Sequence, residues 1–196
     1  MRTRGTKTKD FFLMITPTEY IQLKAFAKQD GLILGIVWIA AFACFIGSMT
    51  DASLQLGFVV GLLSTPFVVF YMLRHYRDKV LTGSISYKRA FAFIALTMVY
   101  ASLILAAATF AYFYFFDKGD FFGTLMENIK VPEVQQAFSE AGLNPADIEQ
   151  QLSMASQSRP IDFAFSVFFE GTVLAMIHAA IIAILGAKKV KTGNQQ

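Results

Sequence analysis

The chain has 196 residues, 55% of them hydrophobic, 15% aromatic and only 16% charged, with 21 phenylalanines and a formal net charge of +3. Its apolar segments are apolar all round, which excludes a soluble helical bundle, whose helices carry a polar face. Cys44 is the only cysteine, so an internal disulfide or a thiolate metal cluster is excluded, and the charge gives no reason to propose nucleic-acid binding.

In chain order, residues 1–30 read as a basic N-terminal arm. Met1 to Gln29 lacks a continuous apolar core, so no cleavable signal peptide is expected. Pro17, Thr18 and Glu19 resemble a helix entry, after which Tyr20, Leu23, Phe26 and Ala27 fall on one face. That spacing suits a short helix lying on the membrane surface, and equally the first turns of the first membrane helix. Four apolar stretches follow, 31–49, 54–73, 90–116 and 161–187, within a membrane domain of residues 31–187. A helix rises ~1.5 Å per residue, so about 20 residues cross a ~30 Å hydrocarbon core, and all four are long enough. The expected fold is therefore all-α: an integral membrane protein with four transmembrane helices.

Between the third and fourth stretches, residues 117–160 predict a small helical cap. Phe121, Phe122, Leu125, Met126 and Ile129 repeat at helical spacing. Pro132 opens a second helix that Gly142 ends, and Asn144 with Pro145 opens a third. The cap carries seven acids (Asp117, Asp120, Glu127, Glu133, Glu140, Asp147 and Glu149) against Lys118, Lys130 and Arg159. A solvated acidic face is one reading and a docking surface for a basic partner the other. The run Tyr112 to Phe116 reads as an aromatic belt at the membrane interface.

Orientation follows from Lys and Arg. The N-terminal arm has six, the connection between the second and third stretches has Arg74, Arg77, Lys79, Lys88 and Arg89, and the tail, 188–196, has Lys188, Lys189 and Lys191. Basic loops stay in the cytoplasm, so both termini and the middle connection are expected inside and the cap outside. Membrane lipids are the first expected partners, since a basic rim lies beside anionic lipid.

Two polar residues stand out in the fourth stretch. Glu170 and His178 lie about 12 Å apart along a helix and ~80° around it, so they share a broad face without touching. A charge at mid-membrane costs ~2.5 to 3.5 kcal/mol, and such residues normally face the bundle or water. One reading is a proton or cation step. The other is a neutral acid and a neutral imidazole hydrogen-bonded to neighbouring helices. Ser64, Thr65, Pro66, Tyr100 and Thr109 are the candidate polar neighbours, with Pro66 expected to kink the second helix. Gly31 with Gly35 and Gly57 with Gly61 form small-xxx-small pairs, which suit close packing within the chain or a homo-oligomer. No phosphate loop, zinc pair or nucleophile elbow is present, so no enzyme activity, cofactor or metal is expected.

The run Gly83-Ser-Ile-Ser-Tyr-Lys-Arg-Ala-Phe91, with Gly31-Leu-Ile-Leu-Gly35 and the closing Lys188-Lys189, resembles the domain of unknown function 4199 family of the bacterial inner membrane. The resemblance implies that location and topology, and brings no catalytic residue. The family's genes often neighbour a polyprenol-phosphate sugar transferase, which implies an accessory role in envelope glycolipid synthesis. The reading is thus an accessory or scaffold protein, with a small transporter or ion-coupled protein using Glu170 and His178 as the alternative.

Overall fold

A computed structural model describes residues 16–188. The basic residues before Thr16, and Lys189 and Lys191 of the tail, lie outside the described residues. The elements are α1 (Pro17–Gly47), α2 (Leu54–His75) with a π-helical turn (Tyr76–Val80), α3 (Tyr87–Ala111) with a second π-helical turn (Tyr112–Phe116), α4 (Asp120–Ile129), α5 (Pro132–Glu140), α6 (Pro145–Ser156) and α7 (Pro160–Gly186). Four helices are long and apolar enough to cross a membrane: Pro17–Gly47, Leu54–Val80, Tyr87–Phe116 and Pro160–Gly186. The protein is an all-α, multi-pass membrane protein with a small helical insert before the last span.

Proline and polar caps set the helix starts. At α1, Glu19 N–H donates to Thr16 Oγ1 at 3.2 Å while Thr16 N–H donates to Glu19 Oε2 at 2.8 Å, a reciprocal capping box around Pro17. At α6, Asn144 Oδ1 accepts from Ala146 N–H at 3.1 Å, with Pro145 next to it. At α7, Asp162 Oδ2 reaches back to Arg159 N–H at 2.9 Å beside Pro160. After α5, Gly142 takes φ +76°, a left-handed turn open to glycine, and Leu143 N–H closes it on Phe138 O at 2.8 Å.

Three boundaries differ from the sequence reading. Residues 17–30 continue unbroken into the first span, so α1 is one 31-residue helix with no separate surface helix. At ~1.5 Å per residue it is about 46 Å long, well beyond a ~30 Å core. The second span runs on through the π turn to Val80, and α3 starts at Tyr87. Pro66 lies inside α2 without ending it.

The chain forms two compact units. The first is Met1–Gly35, Leu63–Ala101 and Gly171–Gln196; the second is Ile36–Leu62 and Ser102–Glu170. Each takes part of every long helix. The first unit has a core of Leu23, Leu34, Val69, Leu73, Tyr76, Phe93, Ile94 and Met98, all fully buried. Gly31 lets α1 lie against α3: a Cβ there would meet Tyr100 Cβ at 2.6 Å and Thr97 O at 2.7 Å. Gly35 is buried in the same unit.

The second unit is packed on aromatics and small residues. Phe113 is its hub, 4.6 Å from Phe163, 5.3 Å from Phe121 and 5.1 Å from Tyr112 between ring centroids. Tyr114, Phe115 and Phe116 are exposed. The run expected as a belt is thus divided: Phe113 is half-buried among neighbouring rings while the last three rings face outward. Gly61 receives Ala41 and Gly57 receives Cys44, so both members of that small pair serve packing of α2 on α1. Helices α4, α5 and α6 pack on one another.

Candidate functional site

The densest polar cluster lies in the first unit, where the basic connection between α2 and α3 folds back. After the π turn the chain reverses at Thr82 (φ +56°) and Gly83 (φ +92°), and Gly83 N–H bonds Arg77 O at 2.9 Å. Ile85, almost fully buried, exchanges both backbone hydrogen bonds with Lys188 at 3.0 Å. Ser86 Oγ then accepts from Arg89 N–H at 3.3 Å and starts α3.

Arg89 is the centre of this knot. Its Nη1 donates to Glu19 Oε1 at 2.9 Å and its Nη2 to the Tyr76 hydroxyl at 3.2 Å. The guanidinium lies 5.9 Å from the Tyr76 ring centroid, within cation–π range. Tyr76 is fully buried, stacked parallel on Phe93 at 4.4 Å and flanked by Phe26 at 5.6 Å. Glu19 therefore does two jobs with two oxygens: Oε2 caps α1 and Oε1 holds Arg89. Arg89 Nε is buried with no partner among the described residues.

Arg77 makes a second fastening. Its Nε and Nη2 fork onto the Asp78 carboxylate at 2.7 and 2.9 Å, and its Nη1 donates to Gly186 O at 3.0 Å. Gly186 ends α7, so a cation satisfies a free carbonyl at the negative end of that helix. Gly186 is also where Leu73 of α2 closes in, leaving no room for a Cβ. These two arginines tie the start of α1, the end of α2, the start of α3 and the end of α7. The sequence reading took them only as topogenic charge. Thr16-x-x-Glu19, Ser86-x-x-Arg89 and the adjacent Arg77-Asp78 are local pairs, whereas the bonds that tie separate elements join residues 13, 70 and 109 positions apart.

The residues singled out in the sequence are not gathered into one site. Ser64, Thr65, Pro66, Tyr100 and His178 belong to the first unit, and Thr109 and Glu170 to the second. Thr65 is buried and Ser64 half-buried, and both are engaged with neighbours. Tyr100 backs onto Gly31. Thr109 is buried with its hydroxyl unpartnered among the described residues. His178 is half-buried and turns to its own helix, with Nδ1 2.9 Å from Leu174 O. A carbonyl only accepts, so Nδ1 is the donor of this bond.

Glu170 is the correction. The sequence reading has it facing the bundle or water, either in a proton or cation step or hydrogen-bonded to a neighbouring helix. It is exposed on the outer surface of α7, and no hydrogen bond joins it to a described residue. The cause is the shape of α7: its buried positions are mostly alanines, so the bulky side chains and Glu170 turn outward. Two grooves indent the second unit, of about 470 Å³ beside Phe42, Ala43 and Tyr112 and about 370 Å³ beside Ala106, Phe110 and Phe165. Glu170 lines neither, and both are walled by apolar groups.

Outside the spans the second unit is acidic and ordered. Glu127, Glu133, Glu140, Asp147 and Glu149 are exposed. Gln136 donates to Glu140 at 2.8 Å and Lys130 lies 3.8 Å from Glu149. Asp51, in the short turn after α1, accepts hydrogen bonds from the Ser53 hydroxyl and backbone N–H, which hold its carboxyl below the usual range.

The model of the family described as "Protein of unknown function (DUF4199)" matches residues 29–188. The chain belongs to the DUF4199 family. No curated protein and no solved structure matches it. The part shared with DUF4199 includes Tyr76, Arg77, Arg89, Gly186 and Lys188, and stops short of Glu19, the capping acid that pairs with Arg89.

Proposed function

We propose that this DUF4199 chain is a non-enzymatic accessory or scaffold protein of the bacterial inner membrane. Its basic end lies in the cytoplasm and its helical cap outside, where the cap's acidic face holds a basic protein partner. The observation that carries this reading is the cap itself: three short helices that pack on one another, the last started by the Asn144 cap, and that display six exposed acids, Asp120, Glu127, Glu133, Glu140, Asp147 and Glu149. A membrane protein without extramembrane work has no use for an ordered insert of this kind; long loops with structure of their own are usually functional. A polyprenol-phosphate sugar transferase is the partner class that the family resemblance implies, which would place the work in envelope glycolipid synthesis.

The transporter alternative draws less support. It needs water to reach Glu170, and Glu170 is exposed on α7 and lines neither of the two grooves described above. The test compares mild-detergent co-purification by the parent chain and by Glu133→Lys/Glu140→Lys/Asp147→Lys. The charge-reversed cap should insert normally and lose the partner. A partner retained in full would overturn the cap reading. In vesicles under a pH gradient, a proton flux that Glu170→Gln abolishes would overturn the scaffold reading and favour the transporter.

A further inference from the structure

At the basic end of the first unit, not every charge is used. Arg77 takes both oxygens of Asp78, and its remaining Nη1 takes the carbonyl of Gly186. Arg77 and Asp78 therefore neutralise each other. The charges of Arg74 and Lys188 also act on that carboxylate, yet no hydrogen bond joins either side chain to a described residue. Two exposed cations thus flank one carboxylate that a third cation already holds.

Packing fixes where these two cations stand. The Arg74 guanidinium lies 6.0 Å from the Phe70 ring centroid, within cation–π range. Phe70 in turn borders Gly186 of α7, with Cε2 4.0 Å from the place a Cβ would take. The Lys188 backbone exchanges two hydrogen bonds with Ile85 at 3.0 Å. A site built on such a frame loses little freedom when it binds.

Below the cations the surface is apolar. Arg74 follows Leu54, the first residue of α2, by about 30 Å along the axis, which is the depth of a hydrocarbon core. Arg74 is therefore at headgroup level when Leu54 is at the opposite interface. Phe67, Phe70 and Arg74 fall within about 60° around α2, and Phe67 is 75% exposed. A cation above an aromatic stripe suits a ligand that is anionic at one end and apolar along the rest.

We propose that Arg74 and Lys188 hold the phosphate of one anionic phospholipid, with an acyl chain lying along Phe70 and Phe67. A phosphodiester has two free oxygens that share one negative charge. Arginine's planar fork matches such oxygens and lysine meets them as a point charge. A soluble phosphate would use the cations and leave the aromatic stripe idle. This goes beyond the attraction of a basic rim to an anionic surface, because it assigns one lipid to two residues. It rests neither on what the cap binds nor on which side of the membrane the basic end occupies.

The test uses the full chain in a neutral detergent, titrated with phosphatidylglycerol or with phosphatidylethanolamine, whose amine balances its own phosphate. Native mass spectrometry reads the affinity for the first lipid. The parent should prefer phosphatidylglycerol by about tenfold or more, at roughly fivefold for each cation. Arg74→Gln and Lys188→Gln should each weaken that binding about 5-fold, and the two together about 30-fold. Arg74→Lys keeps the charge and should stay within about threefold of the parent. Lys24→Gln/Lys28→Gln removes as much charge from α1 and should leave the first lipid in place. All four positions are exposed, so unfolding midpoints in lipid-free detergent should stay at the parental value. A parent without preference between the two lipids would overturn the proposal. So would an equal loss in Lys24→Gln/Lys28→Gln, which would make the affinity a property of the whole basic rim. Displacement of the lipid by inorganic phosphate at equal concentration would overturn it too, and would make the ligand a soluble phosphate.

Discussion

Arg89 spends its two terminal nitrogens on two different elements, the carboxylate of Glu19 on α1 and the hydroxyl of Tyr76 after α2. A lysine has the charge and the length but one point of contact, so it can satisfy only one of them. Arg89→Lys should leave the buried Tyr76 hydroxyl unpaired, at about 1–3 kcal/mol, and lower the midpoint of thermal unfolding in detergent. Arg89→Leu should lower it further. Glu19→Gln should cost less than either, because an amide oxygen still completes the capping box. A lysine variant as stable as the parent would mean that the guanidinium fork is idle. The facing of Glu170 was missed in the sequence, although a signal for it was there. Ala175, Ala179 and Ala183 recur every fourth residue on α7 and all are buried. Glu170 lies about 140–180° around the helix from them, on the opposite side, while His178 lies about 60–100° from Ala175 and Ala179, and is half-buried. In a helix that is apolar all round, residue size rather than polarity marks the packed face, since small residues let helices approach. A reading by hydropathy alone has no means of seeing it.

Helix ends were the most legible feature of the elements, because caps are local chemistry. Four of the five prolines, Pro17, Pro132, Pro145 and Pro160, stand at the first position of a helix, and the sequence reading has the first three as helix starts. Long-range closures were not legible: the π turn Tyr76–Val80 and the Ile85–Lys188 bridge depend on partners far along the chain, so the second span was drawn short and the third late. The cap at α6 can be tested by itself. Asn144→Ala removes the acceptor for Ala146 N–H and should destabilise α6 by about 0.5–2 kcal/mol. Amide exchange across Asp147 to Leu152 should speed up accordingly, while exchange in α1 stays at its parental rate. Unchanged exchange in α6 would show that the proline and the packing on α4 hold the helix without the asparagine.

At the scale of the molecule, charge is divided between the two units. Among the described residues the first unit has eight Lys and Arg against three acids, and the second has three against ten acids. Within the first unit, two of those acids are consumed by Arg77 and Arg89, so Lys24, Lys28, Arg74, Lys79 and Lys188 are left exposed as excess positive charge. Positive loops are retained in the cytoplasm during insertion, and acids contribute little to that decision. The proposed orientation therefore rests on the first unit alone, and it puts the acidic cap on the side that crosses. The structure supplies two reporter positions, both exposed: Lys79 in the basic connection and Gln150 in α6. On a Cys44→Ala background, Lys79→Cys should resist a membrane-impermeant maleimide in intact spheroplasts and react after lysis, whereas Gln150→Cys should react in both. Both variants leave the rest of the basic rim in place, so neither should turn the protein over by itself. Reaction of Lys79→Cys in intact spheroplasts, with Gln150→Cys protected, would invert the protein and put the acidic cap in the cytoplasm, where an envelope-side partner could not reach it.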